Sequence, residues 1–309
     1  MSITLELTRE LLRFSGDEPG PLVIISGGIH GNEIAGLKAL ERIKKDLKNC
    51  QGKFKGTFIG IRGNLESIKK GIRYQDTDLN RIWTQKYIDT LSDKANLNAE
   101  DNELLGILEF VNNEIEDFPH KDEEIIFLDL HTTSANNGVF SIVPSDIKDH
   151  PIPSALDAPV ILGLADKLQG TAIKYFAEKG VISFAFEAGY HESPDAIDNL
   201  EAATWHTLHH SGFLKAKDHP NFKTANERLK EVSKHLPKFV DLIYHHIIKK
   251  DDGFEMVPGI NNFQEIKKNQ VLAYDKNGPI KAPKDCLILM PLYQDQGCDG
   301  FFLVSEIQK

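Results

Sequence analysis

The sequence predicts an α/β fold in which a mostly parallel mixed sheet is flanked by helices, followed by a small C-terminal all-β module. Short, largely apolar runs such as Leu22–Gly28 and Glu124–Leu130 alternate with longer segments whose apolar residues recur at helical spacing. This alternation is typical of helices packed on both faces of a parallel sheet. After about residue 215 the pattern changes to short strand-like runs with frequent Pro and Gly.

The predicted elements of the first part follow one another over residues 1–215. The predicted strands are Pro21–Gly28, Thr57–Ile61, Glu124–Leu130, Phe140–Val143, Pro159–Leu162 and Ile182–Phe186. Amphipathic helices are predicted over Glu33–Lys48 and Ala99–Phe118 because their apolar residues fall on one face. A third helix starts at Ser193-Pro194, a cap hydroxyl followed by Pro at the first helical position, and runs to about His210.

The C-terminal part divides into a connecting segment, residues 216–237, and a small β module, residues 238–309. The connecting segment is predicted to hold a polar helix over Asn221–Leu236. The module carries strand-like runs at Phe239–Ile248, Val271–Tyr274 and Cys286–Leu292, and the hairpin-type turn Lys276-Asn277-Gly278.

Composition excludes several classes of function. Of 309 residues, 40% are hydrophobic and 27% are charged, which is an ordinary globular balance. The formal net charge of −10 argues against a nucleic-acid partner, because phosphate binding needs a basic surface. No apolar run approaches the ~20 residues of a membrane span, and the N-terminus lacks a signal-peptide pattern. With only three cysteines, the sequence predicts a cytoplasmic protein whose thiols stay reduced.

Three predicted strands end in groups that bind metals or protons. Leu22–Gly28 leads into His30 and Glu33, Glu124–Leu130 into His131, and Ile182–Phe186 into Glu187. Ligands collect beyond the carboxyl ends of strands in such sheets. Two His and one Glu form a known zinc ligand set, and a spare Glu supplies a base for metal-assisted hydrolysis.

Each of these motifs also has an ordinary structural explanation. Glu33 could cap a helix beside an exposed His30, His131 could be a core histidine, and Glu187 could pair with a lysine. Asp129 lies two residues before His131, on the same side of the strand, where it could orient a ligand or cap a loop. The charge-dense stretch Arg73–Trp83 could form a solvated loop of local ion pairs, or its Arg and Asn could hold a bound carboxylate.

Taken together, the segments resemble the succinylglutamate desuccinylase/aspartoacylase family, zinc enzymes related to the metallocarboxypeptidases. The matching pieces are Gly28-Ile-His30-Gly-Asn-Glu33, Gly63-Asn64, Arg73-Tyr-Gln-Asp-Thr-Asp-Leu-Asn80-Arg81, Asp129-Leu-His131-Thr-Thr and Phe186-Glu187-Ala-Gly. The resemblance covers roughly residues 20–210 and implies a zinc carboxypeptidase-like fold, with residues 1–215 as the catalytic domain. It implies that one Zn²⁺ per chain is held by His30, Glu33 and His131, and that Glu187 activates water.

The resemblance also implies roles for three residues of the charge-dense stretch. Arg73 matches the residue that polarises the scissile carbonyl, and Asn80 and Arg81 match the pair that grips a substrate α-carboxylate. The implied reaction is hydrolysis of the amide bond of a small-molecule N-acyl amino acid. This chain departs from the aspartoacylase-like pattern, because no Arg lies between Arg81 and Arg228 to hold a second, acidic group.

Two other functions fit the same residues. A metallocarboxypeptidase that trims peptides would share the ligand set, and a binding or scaffold protein could keep the fold without activity. A homodimer is the default expectation for an enzyme of this size.

Overall fold

The computed structural model describes residues 7–50, 52–219 and 221–307. The strands in this part of the chain are β1 (Glu10–Ser15), β2 (Glu18–Gly27), β3 (Lys55–Arg62), β4 (Ile125–Thr133), β5 (Phe140–Ile142), β6 (Val160–Leu162), β7 (Ile182–Tyr190), β8 (Phe239–Ile247), β9 (Glu255–Met256), β10 (Glu265–Ile266), β11 (Val271–Asp275), β12 (Gly278–Lys281), β13 (Cys286–Leu289) and β14 (Asp299–Glu306). The α-helices are α1 (Ala35–Leu47), α2 (Leu65–Lys70), α3 (Gln85–Leu91), α4 (Ala99–Asp117), α5 (Pro151–Ser154), α6 (Leu164–Lys167), α7 (Ala172–Ala177), α8 (Pro194–His210) and α9 (Phe222–Ser233). Single 3-10 turns lie at Lys48–Cys50, Leu79–Arg81, Ser145–Ile147 and Ala216–Asp218.

The larger of the two described sheets has eleven strands in the order β1-β3-β2-β4-β7-β5-β6-β8-β14-β13-β10. Across the seven consecutive strands from β3 to β8, each pairing except β7–β5 is parallel. Helices cover both faces of this region. The predicted α/β fold with a mostly parallel mixed sheet is therefore confirmed.

Alternate residues of β2 serve two separate hydrophobic cores. Val23 and Ile25 belong to the core that includes residues of α1 and α8, whereas Leu22 and Ile24 belong to the core that includes residues of α4 and α7. Successive strand residues point to opposite faces, and here both faces are covered. This explains why the segment reads as a continuous apolar run rather than an alternating one.

The C-terminal strands extend the main sheet. β8 pairs in parallel with β6, and β14, β13 and β10 then add to it in antiparallel order. A separate antiparallel sheet, β12-β11-β9, completes the predicted small C-terminal β structure. The division into residues 1–215, 216–237 and 238–309 stays a prediction. None of the helices in the described residues combines the length and apolar character needed to cross a lipid bilayer.

A buried histidine cluster joins α8 to the segment that leads into α9. His206 and His219 are both buried, and the His219 ring lies 3.9 Å from the Trp205 ring between centroids. Burial, together with the neighbouring His210, lowers the pKa of His206 to about 4. Burial, together with His206 and His209, lowers the pKa of His219 to about 3. The cluster is therefore uncharged in the folded protein at neutral pH.

This cluster predicts a loss of stability in mild acid. The unfolded chain takes up protons below a pKa of about 6.5, whereas the folded chain does not until about pH 4, so stability falls as the pH falls through this window. At pH 5 the loss is about 2 kcal/mol for each histidine. Urea unfolding at pH 7 and pH 5 measures the free energy of unfolding that is lost between the two pH values. This loss should be about 2 kcal/mol smaller in the His206→Leu variant than in wild type. The exposed His235→Leu is the control, and an unchanged pH dependence in His206→Leu would contradict the prediction.

Candidate active site

The main-sheet strands β4 and β7 place His131 and Glu187 side by side. The two residues are direct partners in the parallel pairing of these strands. Both lie within their strands, because β4 continues to Thr133 and β7 to Tyr190, beyond the ends predicted from the sequence. His30 and Glu33 follow β2 in the loop before α1, which begins two residues after Glu33. The four predicted residues therefore meet at one edge of the sheet.

The Glu33 carboxylate lies between two imidazole rings. Its Oε1 is 2.8 Å from Nδ1 of His30, and its Oε2 is 3.0 Å from Nδ1 of His131. The ligand atoms of these three buried side chains all lie within 4.8 Å of one another. The Thr132 backbone N–H donates to Glu33 Oε2 at 2.9 Å and fixes the carboxylate.

The outer nitrogen of each imidazole faces another carboxylate. Nε2 of His30 is 3.1 Å from Asp78 Oδ1, and Nε2 of His131 is 2.7 Å from Asp129 Oδ2. Asp129 in turn accepts a hydrogen bond of 2.6 Å from the Ser26 hydroxyl. Such carboxylate partners orient the rings of metal-binding histidines and raise their basicity. Of the two roles considered for Asp129, the geometry fits the orienting one.

The electrostatics of this cluster favour a bound cation. Burial opposes the charged form of Glu33, yet the neighbouring His30 and His131 hold its pKa well below the usual range. Burial likewise opposes protonation of His131, but Asp129 and Glu33 raise its pKa well above the usual value. Carboxylates thus surround the two rings, and the protein stabilises positive charge at this point.

The loop that carries His30 is packed directly against α2. A Cβ added at Gly31 would lie 2.2 Å from the backbone carbon of Ser67, so no side chain fits there. This close approach of the loop to α2 explains the glycine at this position. The Gly31 N–H also donates to the Arg73 carbonyl at 3.1 Å. This hydrogen bond joins the loop that carries His30 to the charge-dense stretch.

Arg73 bridges two carboxylates of the cluster. It donates to Glu33 Oε1 and to Asp78 Oδ2, both at 3.2 Å. Its Nε–H is buried and has no hydrogen-bond acceptor among the described residues. Arg73 is therefore fixed in the site with its buried Nε–H left for another group.

Glu187 is buried in an environment that favours its neutral form. It is 7% exposed, and its Oε2 has no hydrogen-bond partner in the described part of the chain. Burial raises its pKa to about 8, although His131 opposes the shift. Among the described residues, the charged groups that act on Glu187 are His131, Glu33, Arg73 and Asp129, and none of them is the lysine partner considered for a strand-end glutamate. A carboxylate with these properties can exchange a proton near neutral pH.

Asn80 and Arg81 lie in the 3-10 turn that follows Asp78. The Asn80 Oδ1 accepts a hydrogen bond of 2.9 Å from the Ala172 backbone, which leaves its amide N–H donors for another acceptor. Arg81 pairs with Asp299 through Nη2, while its buried Nε–H has no acceptor in the structure as described. Nε2 of His245 contacts the other Asp299 oxygen at 2.7 Å. Burial opposes this charge, but His245 and Arg81 lower the pKa of Asp299 to about 2.

All seven predicted site residues line one pocket. Its cavity volume is about 100 Å³. Apolar residues from the sheet and the β6–α7 region line one side, and the C-terminal part contributes Met290, Leu292, Gln294, Gly297, Asp299 and Phe302. Sequence reasoning assigned no role to Asp78, Asp299 or His245. Asp78 lay within the charge-dense stretch and was visible there, whereas Asp299 is 218 residues from Arg81 and gave no local signal.

A family model described as the succinylglutamate desuccinylase/aspartoacylase catalytic domain matches residues 19–211. The succinylglutamate desuccinylase of Pseudomonas paraeruginosa (strain DSM 24068 / PA7) is 26% identical over 137 residues, which cover 44% of this chain and 39% of the relative. The probable aspartoacylase of Acaryochloris marina (strain MBIC 11017) is 34% identical over 141 residues, which cover 42% of this chain and 39% of the relative. The chain thus spans about two fifths of the length of these curated relatives.

The solved structure of a succinylglutamate desuccinylase/aspartoacylase from Rhodobacter sphaeroides shares the fold. It superposes with a TM-score of 0.68 at 14% sequence identity, over 96% of this chain and 88% of that chain. The similarity extends through the C-terminal strands, beyond the region that the family model matches.

Proposed function

The chain belongs to the succinylglutamate desuccinylase/aspartoacylase family, and on that premise we propose that it is a zinc-dependent hydrolase that cleaves the amide bond of an N-acyl amino acid. One observation carries the proposal. The ligand-type cluster of His30, Glu33 and His131 shares a pocket with Glu187, whose buried Oε2 lacks a hydrogen-bond partner among the described residues. This combination provides both a cation site and a base.

The donor set fits zinc. Two imidazole nitrogens and one carboxylate form the protein ligand set of several catalytic zinc sites, which keep one further position open. We assign His30, Glu33 and His131 as the ligands, with Asp78 and Asp129 as their orienting partners. When bound, zinc would supply a Lewis acid that polarises the scissile carbonyl and lowers the pKa of water.

Glu187 acts in this proposal as the general base and then as the general acid. It takes a proton from the attacking water and delivers that proton to the amide nitrogen as the C–N bond breaks. The products are a carboxylic acid and an amino acid. Its unpartnered oxygen can accept the proton, and its raised pKa allows the carboxyl group to release it again near neutral pH.

Three polar side chains would hold the substrate during this transfer. The free Nε–H of Arg73 is assigned to the oxygen on which negative charge develops. The amide donors of Asn80 and the guanidinium of Arg81 are assigned to the substrate α-carboxylate. A guanidinium and a carboxylate form strong, charge-assisted hydrogen bonds. Fixing the substrate at both ends makes the attack effectively intramolecular.

The C-terminal residues of the pocket favour a small substrate over a peptide. Met290, Leu292 and Phe302 line the same cavity as the ligand cluster, and the volume of this cavity is only about 100 Å³. A metallocarboxypeptidase must leave room there for the chain that precedes the scissile bond. An acyl group is much smaller, so the N-acyl amino acid fits this pocket better.

The proposal is tested by assaying amine release from N-acetyl, N-succinyl and N-formyl amino acids, in parallel with peptides. Metal-depleted protein should be inactive, and stoichiometric zinc should restore hydrolysis of at least one N-acyl amino acid. Cleavage of peptides alone would instead favour the metallocarboxypeptidase. Zinc binding without hydrolysis of any compound would favour a binding protein.

A further inference from the structure

The pocket lining includes a group of clustered apolar side chains, which we name the apolar wall. Its members belong to the same hydrophobic cluster, and they are Ile142, Ala165, Leu168, Ile173, Ala185 and Phe302. Ala185 lies two residues before Glu187 on β7, so both face the same side of that strand. Ile142 is the direct partner of Ala185 on β5. The apolar wall therefore begins directly beside the proposed base.

The cationic groups of the pocket already have assigned partners. Among the described lining residues, the guanidinium groups are those of Arg73 and Arg81. Arg73 is held by Glu33 and Asp78, and Arg81 by Asp299. Their remaining donors suffice for the scissile carbonyl and one carboxylate. A second substrate carboxylate would meet no third guanidinium in this region.

Asp299 adds to this discrimination. Its carboxylate lines the pocket and carries negative charge, because His245 and Arg81 stabilise the ionised form. A second substrate carboxylate would share the pocket with this charge and with the apolar wall. An unpaired charge in such surroundings is strongly disfavoured, whereas an apolar group gains from leaving water.

We propose that the apolar wall binds an uncharged, apolar group of the N-acyl amino acid, and that the enzyme discriminates against substrates with a second carboxylate at this position. The proposal rests on the proposed function, since it names the substrate class of the same site. The apolar group is either the acyl chain or the amino-acid side chain. Both present the same chemistry to the wall, and the test separates them.

Two nearly isosteric pairs of compounds provide the test. N-acetyl-L-leucine against N-acetyl-L-aspartate varies the side chain, and N-(4-methylpentanoyl)-L-alanine against N-succinyl-L-alanine varies the acyl chain. We expect kcat/KM to favour the apolar member on the order of 100-fold in the pair whose variable group meets the wall. Equal or higher kcat/KM for the acidic member of both pairs would overturn the proposal.

A substitution in the wall provides a second, independent readout. Leu168→Arg introduces the missing guanidinium and should shift the ratio at least ~10-fold towards the acidic member. Leu105→Arg adds the same charge at an exposed position on α4 and should leave the ratio unchanged. If Leu168→Arg does not fold, Leu168→Ala provides the test. It should lower kcat/KM only for the apolar member of the pair. An unchanged ratio of the two kcat/KM values in the folded variant contradicts the proposal.

Binding measurements separate this inference from the proposed function. Calorimetry with the Glu187→Gln variant measures affinity without turnover. If the variant binds the apolar member more tightly and the wild-type protein hydrolyses none of the four compounds, the assignment of the apolar wall stands while the hydrolase assignment fails. If the wild-type protein hydrolyses these compounds but the variant binds the acidic member more tightly, the hydrolase assignment stands and the assignment of the apolar wall fails.

Discussion

Replacing Glu187 with glutamine is expected to lower kcat about 10²–10⁴-fold while leaving the zinc content unchanged. The amide of glutamine keeps the shape of the side chain but cannot accept the proton of the attacking water. Glu187 makes none of the contacts that join His30, Glu33 and His131, so the ligand cluster should survive the change. Initial rates, with zinc determined by atomic absorption on the same samples, measure both quantities.

The exposed Glu192→Gln is the matched control, because it makes the same chemical change a few residues along the chain. It should retain wild-type kcat. Normal turnover in Glu187→Gln would remove the base from this residue. Loss of zinc together with loss of turnover would show that Glu187 also supports the metal.

Replacing His131 with alanine is expected to abolish zinc binding at this site. The substitution removes one of the three proposed ligands and leaves the buried Glu33 and Asp129 carboxylates without the ring that lies between them. Asp129→Asn should have a graded effect and weaken zinc binding about 10–100-fold, because it alters only the orientation and basicity of the ring. Titration against a competing chelator measures both affinities.

The exposed His235→Ala serves as the control for loss of a histidine. It should bind zinc as tightly as wild type. Full zinc affinity in His131→Ala would contradict the ligand assignment. Equal losses in His131→Ala and Asp129→Asn would show that the surrounding carboxylates, rather than the ring, dominate binding.

The sequence was sufficient to bring the cluster together because its members follow strands of one parallel sheet. Carboxyl ends of parallel strands meet at the same edge, so the sequence alone predicts that His131 and Glu187 lie near His30. The ends of the strands were predicted less accurately. β4 continues three residues past its predicted end, to Thr133, and β7 continues four residues past its predicted end, to Tyr190.

Other features had no signal that sequence could reveal. β1 is a partly exposed edge strand whose two buried leucines, Leu11 and Leu12, are adjacent rather than alternating, because a bulge interrupts its pairing. The pairing of Arg81 with Asp299 depends on where β14 joins the sheet, which no local pattern specifies. The absence of an arginine between Arg81 and Arg228 was visible in the sequence, but the residues that line the pocket in its place could be identified only from the structure.

The pairing of β6 with β8 makes the lining of the pocket depend on strand register. β6 has only three residues, yet its pairing with β8 fixes the position of β14, where Asp299 and Phe302 reach the cavity. A slip of two residues keeps every side chain on its own face but moves the strand by about 6.6 Å. Such a displaced chain would retain its hydrophobic pattern but lose the Arg81–Asp299 contact, so this ion pair favours the observed alignment over the displaced one.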